Sequence, residues 1–341
     1  MILVTGGTGF IGSPTTLALA GSGVPLRLLV HRRPAGVPLG AGVEVVHGDL
    51  TAPASLRGIC TGVHTVLHLA AEVGDDPQRC AAVNVEGTQA LVAEARSAGV
   101  RRVIYLSTAA VYGNGEHRDI AEDGLAEDEV PPAPVSVASR TRLTAEHAVL
   151  ATGGVVLRPM FVYGPGDAWF IPRLAGALRR FPVTIDGGRA RQSLVAVDDL
   201  ARAIAAIAVD GWRPGEVGVL HAAHPEPVTM AELTEALVTW LDVPPPQRDV
   251  PFEQARALFG DDPRRLRQLE LIARDHVYDS SRLWRRTGLH PVGFARRFPE
   301  YADRYRATMS AAMSAAMSAV TSAARSAAES AGVAVTQQER V

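Results

Sequence analysis

Short apolar runs alternate with helix-forming stretches along the first half of the chain. The stretches Thr15–Ala20 and Ala81–Ala95 are helical in pattern, whereas uninterrupted apolar runs predict buried strands. Five runs of this kind are Met1–Val4, Gly23–Val30, Val43–His47, Val63–Leu69 and Arg102–Leu106. Strands that alternate with helices over short connections are typical of a parallel sheet. We therefore expect an α/β fold built on a doubly wound parallel sheet.

The first strand leads into a glycine turn, T-G-G-T-G-F-I-G, which runs from Thr5 to Gly12. Gly6 allows the tight turn, Gly9 lets the backbone approach a pyrophosphate, and Gly12 lets the next helix pack close to the strand. The helix N-terminus offers free N–H groups to phosphates. This context predicts a dinucleotide site. The alternative is a glycine-rich turn with a structural role only.

The end of the second strand bears on which dinucleotide is bound. Sites for NAD usually carry an acidic residue here, which binds the ribose 2′-hydroxyl. This chain has Val30 at about that position, and His31, Arg32 and Arg33 come next. Guanidinium groups bind a 2′-phosphate well, so we expect a preference for NADP(H), with NADH as a possible second cofactor. The alternative is that these cations form a solvated loop.

Composition excludes several other classes of function. The 341 residues are 47% hydrophobic and 21% charged, which is ordinary for a globular protein of two domains. A net charge of −2 indicates no broad positive potential that would attract nucleic acid. Cys60 and Cys80 lack the spacing of a metal or redox site, so we expect no metal and a reduced, cytoplasmic protein. Met1 opens directly on a strand, which leaves no room for a signal peptide, and no apolar run reaches membrane-spanning length.

Further motifs follow the glycine turn in a fixed order. They are G-D-L (48–50), H-L-A-A (68–71), N-V-E-G-T (84–88), S-T-A-A-V-Y-G (107–113), L-R-P-M-F-V-Y-G-P-G (Leu157–Gly166) and V-A-V-D-D-L-A-R-A-I (Val195–Ile204). With these motifs the sequence resembles the extended short-chain dehydrogenase/reductases, the NAD-dependent epimerase/dehydratase group. The resemblance covers roughly residues 1–210, and a weaker match follows at Asp279 and at Gly288–Pro291. It specifies the family much better than the reaction.

The resemblance implies a Rossmann domain and a smaller C-terminal substrate domain. We assign residues 1–160 and 191–212 to the Rossmann domain, residues 161–190 and 213–307 to the substrate domain, and residues 308–341 to a tail. Thr229 and Glu232 form a capping box that predicts a helix start in the substrate domain. The resemblance also implies the cofactor-binding residues, which are Gly6, Thr8, Gly9, Phe10, Ile11, His31, Arg32, Arg33, Asp49, Leu50, Leu69, Ala70, Ala71, Arg142 and Pro159.

The chain departs from the family at its catalytic element. The family pattern P-x-S-x-Y-x-x-x-K-L-x-x-E aligns with Pro134–Glu146, which places Ala138 at the tyrosine and Arg142 at the lysine. Alanine has no proton to donate, and a guanidinium with a pKa above ~12 is no general acid at neutral pH. Arg142 can still donate hydrogen bonds to ribose hydroxyls. The acid–base chemistry is therefore lost or replaced.

Several groups are candidates for the missing acid. Thr108 lies at the family's catalytic Ser/Thr position, although its hydroxyl could simply bond to backbone. Its neighbour Ser107 is a weaker candidate, Tyr112 belongs to a turn that usually packs in this family, and we expect His117 to be solvated in an acidic loop. The last possibility is that the substrate supplies its own proton. A ketone beside a phenol or enol has this arrangement, and the enzyme then only needs to position it.

The predicted substrate residues are Tyr112, Phe161, Trp169, Phe170 and Arg191. Phe161 replaces an asparagine that sugar-nucleotide enzymes of the family often carry, and aromatic side chains suit a flat apolar ligand. Arg191 argues the other way, because it aligns with an arginine that binds diphosphate in sugar-nucleotide epimerases. Core packing is the alternative role for each aromatic residue.

We predict an NADPH-dependent ketoreductase for a polycyclic aromatic ketone. The substituted active site resembles that of the angucyclinone ketoreductases of antibiotic pathways. The alternatives are a sugar-nucleotide epimerase or dehydratase with displaced catalytic groups, and a non-catalytic NADP(H)-binding sensor. We expect no nucleic-acid or membrane partner, and the oligomeric state stays open.

The tail is rich in alanine, serine and methionine, with Met309, Met313 and Met317 spaced four residues apart. This spacing predicts a helix that is frayed or exposed, because its apolar face is narrow. The alternative is a methionine stripe that covers the cleft or a partner.

Overall fold

The computed structural model describes residues 1–31, 42–121, 130–210, 218–259, 262–311 and 314. The strands are β1 (Ile2–Thr5), β2 (Leu26–Val30), β3 (Val43–His47), β4 (Thr65–His68), β5 (Arg102–Leu106), β6 (His117–Ile120), β7 (Val155–Arg158), β8 (Phe161–Tyr163), β9 (Val183–Ile185), β10 (Arg191–Gln192), β11 (Leu194–Ala196), β12 (Gly218–His221), β13 (Val228–Thr229), β14 (Arg248–Val250) and β15 (His276–Tyr278).

The α-helices are α1 (Gly12–Ala20), α2 (Pro77–Cys80), α3 (Gly87–Ser97), α4 (Val137–Leu150), α5 (Ile171–Arg180), α6 (Val197–Val209), α7 (Met230–Leu241), α8 (Phe252–Phe259), α9 (Pro263–Ala273), α10 (Ser281–Thr287) and α11 (294–311). A π-helical segment, Ala81–Glu86, joins α2 to α3.

A seven-stranded sheet confirms the predicted fold class. Its strand order is β12-β7-β5-β4-β1-β2-β3, and every pairing is parallel. The five predicted apolar runs form strands β1 to β5, of which β3 lies at one edge of the sheet. The other four lie inside the sheet, where helices cover both faces. The edge strand β12 lies in the range 213–307 that we assigned to the substrate domain, so that boundary must move past His221. The rest of the domain division stays a prediction.

Alternate residues of β1 face opposite layers of helices. Ile2 and Val4 belong to a buried cluster with Leu19 of α1 and Leu200 of α6. Leu3 belongs to a second cluster that includes residues of α3 and α4. All five of the named side chains are almost fully buried. The C-terminal ends of the strands therefore form one edge between two helix layers, which is where ligands of such sheets bind.

The remaining elements form a smaller unit beside that edge. A four-stranded sheet has the order β13-β10-β15-β6. Helices α5, α7 and α11 share a further apolar cluster, which includes Leu174, Leu237, Phe298 and Met309. The predicted capping box is confirmed, because the Thr229 side chain accepts the N–H of Glu232 and the Glu232 carboxylate accepts that of Thr229.

The described residues include the start of the predicted tail. Met309 is buried, whereas Met313 and Met317 lie outside the described residues. Within the described ranges, no helix is long and apolar enough to cross a membrane. The same part of the chain holds no cluster of three metal-ligating side chains.

Candidate active site

The glycine turn has the shape that a pyrophosphate requires. Gly6 has a φ of +68°, and a Cβ there would lie 2.5 Å from the Ala70 nitrogen. A Cβ on Gly12 would overlap the Gly6 carbonyl, so α1 packs against the turn only because Gly12 has no side chain. A Cβ on Gly9 would meet only the Gly6 oxygen, at 3.2 Å, and would fill the open side of the turn. No side chain caps the N-terminus of α1. The turn therefore fits a dinucleotide pyrophosphate.

The ends of β2 and β3 bring together two of the predicted cofactor residues. His31 Nε2 lies 3.0 Å from Asp49 Oδ2. Asp49 Oδ1 also accepts the Thr51 N–H at 2.9 Å, which holds the turn after β3. A carboxylate therefore lies beside His31, one of the residues predicted to favour NADP(H). Arg32 and Arg33, on which the NADP preference depends, lie outside the described residues.

Four of the remaining cofactor candidates follow β4 and β7: Leu69, Ala70 and Ala71 come after β4, and Pro159 comes after β7. Leu69 N–H donates to the Thr5 carbonyl at 3.1 Å, which continues the sheet beyond β4. Ala109 N–H donates to the Pro159 carbonyl at 2.8 Å, so the Ser107–Thr108 segment lies beside Pro159. These residues share the carboxyl edge of the sheet with the glycine turn.

Two hydroxyls lie at the end of β5. Thr108 Oγ1 accepts the Ala110 N–H at 3.2 Å and so caps the short turn that follows. This is the backbone contact that was the alternative role for Thr108, yet the hydroxyl hydrogen stays available to donate. Ser107 is 1% exposed, and its Oγ has no hydrogen-bond partner among the described residues.

Helix α4 carries the two substituted catalytic positions. Ser136 and Ser139 form a capping box at its start, and Ala138 lies in the first turn. One turn later, Arg142 Nη2 donates to the Leu106 carbonyl at 2.7 Å, at the end of β5. Arg142 Nε is buried and lacks a partner among the described residues. The guanidinium thus lies at the carboxyl edge, where it can donate to a ribose hydroxyl but not act as an acid.

Below these positions, Arg158 is 2% exposed and Glu146 is fully buried. Arg158 Nε donates to both carboxylate oxygens of Glu146 at 3.1 Å. Arg158 Nη1 donates to Tyr112 Oη at 2.8 Å. Tyr112 Oη in turn lies 2.7 Å from His221 Nε2. This chain, which we call the Tyr112 chain, ties α4, β7, β12 and the turn after Thr108 together.

The direction of these hydrogen bonds decides what Tyr112 can do. His221 Nδ1 lies 3.1 Å from the Asp279 carbonyl, which can only accept, so Nδ1 carries the hydrogen. Burial lowers the pKa of His221 to about 4, so its Nε2 is an acceptor at neutral pH. Tyr112 therefore donates a hydrogen bond to His221 Nε2. Because its hydroxyl hydrogen is used inside the protein, this contact counts against Tyr112 as the acid that protonates the substrate, and its place among the substrate residues stays a prediction.

His117 is the clearest error of the sequence analysis. It is 5% exposed rather than solvated, because β6 pairs with β15 and turns its side chain inward. Its Nδ1 lies 2.7 Å from the Tyr278 hydroxyl and 3.2 Å from His276 Nδ1. Burial lowers the pKa of His117, and burial together with the neighbouring His117 lowers that of His276 to about 4.

Two of the predicted substrate residues meet as a stacked pair. The rings of Phe161 and Phe170 have centroids 4.3 Å apart and planes inclined by 15°. The residue before Phe170, Trp169, is 54% exposed, and the Arg173 guanidinium lies 4.1 Å from its ring centroid. We call Phe161, Trp169 and Phe170 the aromatic wall. Since β8 begins two residues after Pro159, the wall begins close to one of the predicted cofactor-binding residues.

Arg191 does not present a free guanidinium. Its side chain lies 3.3 Å from Asp275 Oδ2, and its backbone N–H donates to Asp275 Oδ1 at 2.7 Å. Asp119 Oδ2 lies 3.7 Å from the same Arg191 nitrogen, and Asp275 Oδ2 also lies 3.4 Å from Arg118 Nε. A guanidinium that belongs to such an ion-pair network is a poor receptor for a diphosphate.

Comparison with known proteins decides the family. The model of the NAD dependent epimerase/dehydratase family matches residues 2–218. The chain belongs to this family. A relative, the 2-alkyl-3-oxoalkanoate reductase of Stenotrophomonas maltophilia (strain K279a), is 30% identical over 269 residues, which cover 74% of this chain and 79% of that protein. The 4-hydroxy-2-methyl-3-oxo-4-farnesyl-3,4-dihydroquinoline-1-oxide ketoreductase of Stigmatella aurantiaca is 30% identical over 264 residues, which cover 74% and 77%.

Solved structures of epimerase/dehydratase proteins share the fold. MoeE5 in complex with UDP-glucose and NAD has a TM-score of 0.67 at 26% identity, and the match covers 89% of this chain and 97% of that one. DesIV, a dTDP-glucose 4,6-dehydratase from Streptomyces venezuelae with NAD and TYD bound, has a TM-score of 0.69 at 25% identity, with 89% and 96% covered. The relatives named as reductases and dehydrogenases establish that this member of the family is an oxidoreductase.

The site also contains residues that sequence reasoning missed. His221, His276 and Tyr278 come from strands beyond the region of strongest resemblance, and no local pattern marks them. Glu146 and Arg158 belong to the family motifs L-x-x-E and L-R-P, but the motifs do not indicate that the two side chains form an ion pair. The roles assigned to the cofactor and substrate residues stay predictions.

Proposed function

We propose that this protein is an NAD(P)H-dependent ketoreductase for a ketone on a polycyclic aromatic, polyketide-type compound of the angucyclinone kind, acting in antibiotic biosynthesis. One observation carries the proposal: neither position that could supply a tyrosine acid near the site has a phenol free to protonate the substrate. Ala138 stands where the family has its catalytic tyrosine, and the Tyr112 hydroxyl donates its hydrogen bond to His221. A substrate that brings its own proton needs neither.

The reaction balances with a hydroxyl next to the ketone. A reduced dinucleotide, when bound, supplies the hydride to the carbonyl carbon. The carbonyl oxygen then takes the proton of the neighbouring phenol or enol, and the resulting phenolate is reprotonated by water. The chain's part is to hold the ketone in line and to exclude water, which can supply much of the rate. The Thr108 hydroxyl can donate a hydrogen bond to the same oxygen, and Arg142 can hold the ribose.

The surface around the carboxyl edge supports an apolar substrate. Val73 follows β4, Val135 precedes α4, and Trp169 follows β8, and these three side chains are 47%, 43% and 54% exposed. Exposed apolar side chains near this edge suit an apolar ligand. The names of two relatives describe oxo compounds with an alkyl or a farnesyl group.

A sugar-nucleotide epimerase or dehydratase is the second candidate, because MoeE5 and the dTDP-glucose dehydratase were solved with nucleotide ligands. Two features of this chain count against it. The Arg191 guanidinium is paired with Asp275, and Phe161 cannot donate a hydrogen bond to a diphosphate. For the cofactor, Arg32 and Arg33 favour NADP(H), whereas Asp49 beside His31 favours NAD(H). We propose that the two guanidinium groups prevail.

The test is turnover with matched ketones. We expect oxidation of NADPH with hydroxylated polycyclic ketones, and loss of turnover when the hydroxyl beside the carbonyl is methylated. Thr108→Ala should keep activity within about tenfold, since a protein general acid contributes ~10² to 10⁴-fold. Turnover of UDP- or dTDP-sugars alone would favour the second candidate. A loss near 10³-fold in Thr108→Ala, with cofactor binding intact, would show that Thr108 is the acid.

A further inference from the structure

The segment 164–170, between β8 and α5, carries Trp169 and Phe170. Buried hydrogen bonds to Asp167 and Tyr305 hold its backbone. Asp167 is 3% exposed. Its Oδ1 accepts the N–H groups of Trp169 at 2.8 Å and Phe170 at 2.9 Å. Its Oδ2 accepts the N–H of Ile171 at 2.9 Å. The carboxylate thus sets the direction in which both aromatic side chains leave the backbone.

Helix α11 reaches the same carboxylate from the far end of the sequence. Tyr305, also 3% exposed, donates its hydroxyl to Asp167 Oδ2 at 3.1 Å. The same hydroxyl accepts the Gly164 N–H at 2.7 Å. Gly164 has a φ of +137°, and a Cβ there would lie 2.6 Å from Val197, so the backbone at this turn has little freedom. One phenol therefore fastens both the start and the middle of the segment.

The geometry points to Tyr305 as a positioning residue that sets the enzyme's preference for polycyclic over small ketones, by holding the aromatic wall through Asp167 and Gly164. This inference rests on the proposed function for the identity of the substrate. Phe161 lies on β8, on one side of the fastened segment, and Phe170 lies on the other. Their 4.3 Å stack exists only while the segment keeps its shape. Loss of the Tyr305 hydroxyl leaves a buried N–H without its acceptor, which favours a shift of the segment.

The chain offers a matched control on the same helix. Tyr301 lies about one turn before Tyr305, is 5% exposed, and donates its hydroxyl to Asp198 Oδ2 at 2.6 Å. Tyr301→Phe and Tyr305→Phe each remove one hydroxyl that bonds to a carboxylate. Only the Tyr305 hydroxyl also holds the backbone of the segment.

We expect Tyr305→Phe to raise KM for a polycyclic hydroxy ketone by about fivefold to tenfold, with kcat and the Kd of NADPH within about twofold. A monocyclic ketone, which cannot span the wall, should keep its KM. Tyr301→Phe should keep both values. Equal changes for the two ketones, or the same effect in Tyr301→Phe, would overturn the inference, since either indicates a general structural role. An unchanged KM in Tyr305→Phe would overturn it as well.

A ligand-free measurement separates this inference from the proposed function. The Trp169 contribution to acrylamide quenching is obtained as the difference between each variant and its Trp169→Phe counterpart. We expect a larger quenching constant for Trp169 in Tyr305→Phe than in Tyr301→Phe. If no ketone is turned over or bound by the wild type, the proposed function fails. If the quenching constants of the two variants agree, the role of Tyr305 in holding the wall fails, whatever the substrate.

Discussion

The buried histidines should make the protein sensitive to mild acid. Burial lowers the pKa of His68 to about 3 and those of His221 and His276 to about 4. Each of these side chains is at most 2% exposed. An unfolded chain binds a proton at each histidine below pH 6.5, whereas the folded protein does not until the lower values are reached. The contribution of these histidines to the free energy of unfolding is therefore present above pH 6.5, and it is lost as the pH falls from 6.5 towards 4.

The magnitude at pH 5 follows from these values. Each pKa unit corresponds to about 1.4 kcal/mol, and pH 5 lies about 1.5 units below the unfolded-state pKa, so each histidine costs about 2 kcal/mol. Because all three folded-state values lie below 5, three histidines together cost about 6 kcal/mol. A domain is stable by only about 5–15 kcal/mol. With an unfolding entropy of about 2.1 cal/mol/K per residue, the melting temperature should fall by about 8 °C.

The assay is thermal or urea unfolding at pH 7.5, 6.5, 5.5 and 5.0 at constant ionic strength. Carboxylates titrate mainly below this window, so histidines dominate it. In the variant His276→Asn, the decrease in unfolding free energy between pH 7.5 and pH 5.0 should be about one third smaller than in the wild type. Each protein is compared with its own value at pH 7.5, so that the destabilisation by the substitution itself does not enter. The matched control is His147→Asn, which removes a histidine that is exposed on α4 instead of buried. A stability that changes by less than about 1 kcal/mol between pH 7.5 and 5.0 would refute the reasoning.

Three further predictions concern the cofactor site and the core below it. Arg32→Ala combined with Arg33→Ala should weaken NADPH binding by about tenfold or more, ~1.4 kcal/mol, in a fluorescence titration; an equal loss for NADH would show that these residues do not bind the 2′-phosphate. Gly12→Ala should abolish binding of either cofactor in the same titration, because its Cβ would overlap the turn, and retained affinity would contradict this packing. Glu146→Gln leaves the buried Arg158 without its counter-ion and should cost about 3–5 kcal/mol in urea unfolding; a loss below about 1 kcal/mol would contradict it.

Local sequence was sufficient wherever the physical cause is local. The parallel strands follow from apolar runs, because a strand covered on both faces needs no polar alternation. The shape of the glycine turn follows from the missing side chains of Gly6 and Gly12, and the start of α7 follows from the spacing of Thr229 and Glu232. In each case the interacting groups are a few residues apart, so spacing determines the contact.

Tertiary structure alone decided which distant side chains meet. Tyr112 and His221 are 109 residues apart, and their contact exists because β12 completes the sheet beside β7. In that contact the Tyr112 hydroxyl donates its hydrogen bond to His221. His117 lies in a stretch rich in acidic residues that predicts exposure, but the pairing of β6 with β15 buries it. Arg191 has the residue type of a diphosphate ligand, and Asp275, 84 residues later, neutralises it. Burial and pairing across the fold depend on the whole packing arrangement, so residue type and spacing could not determine them.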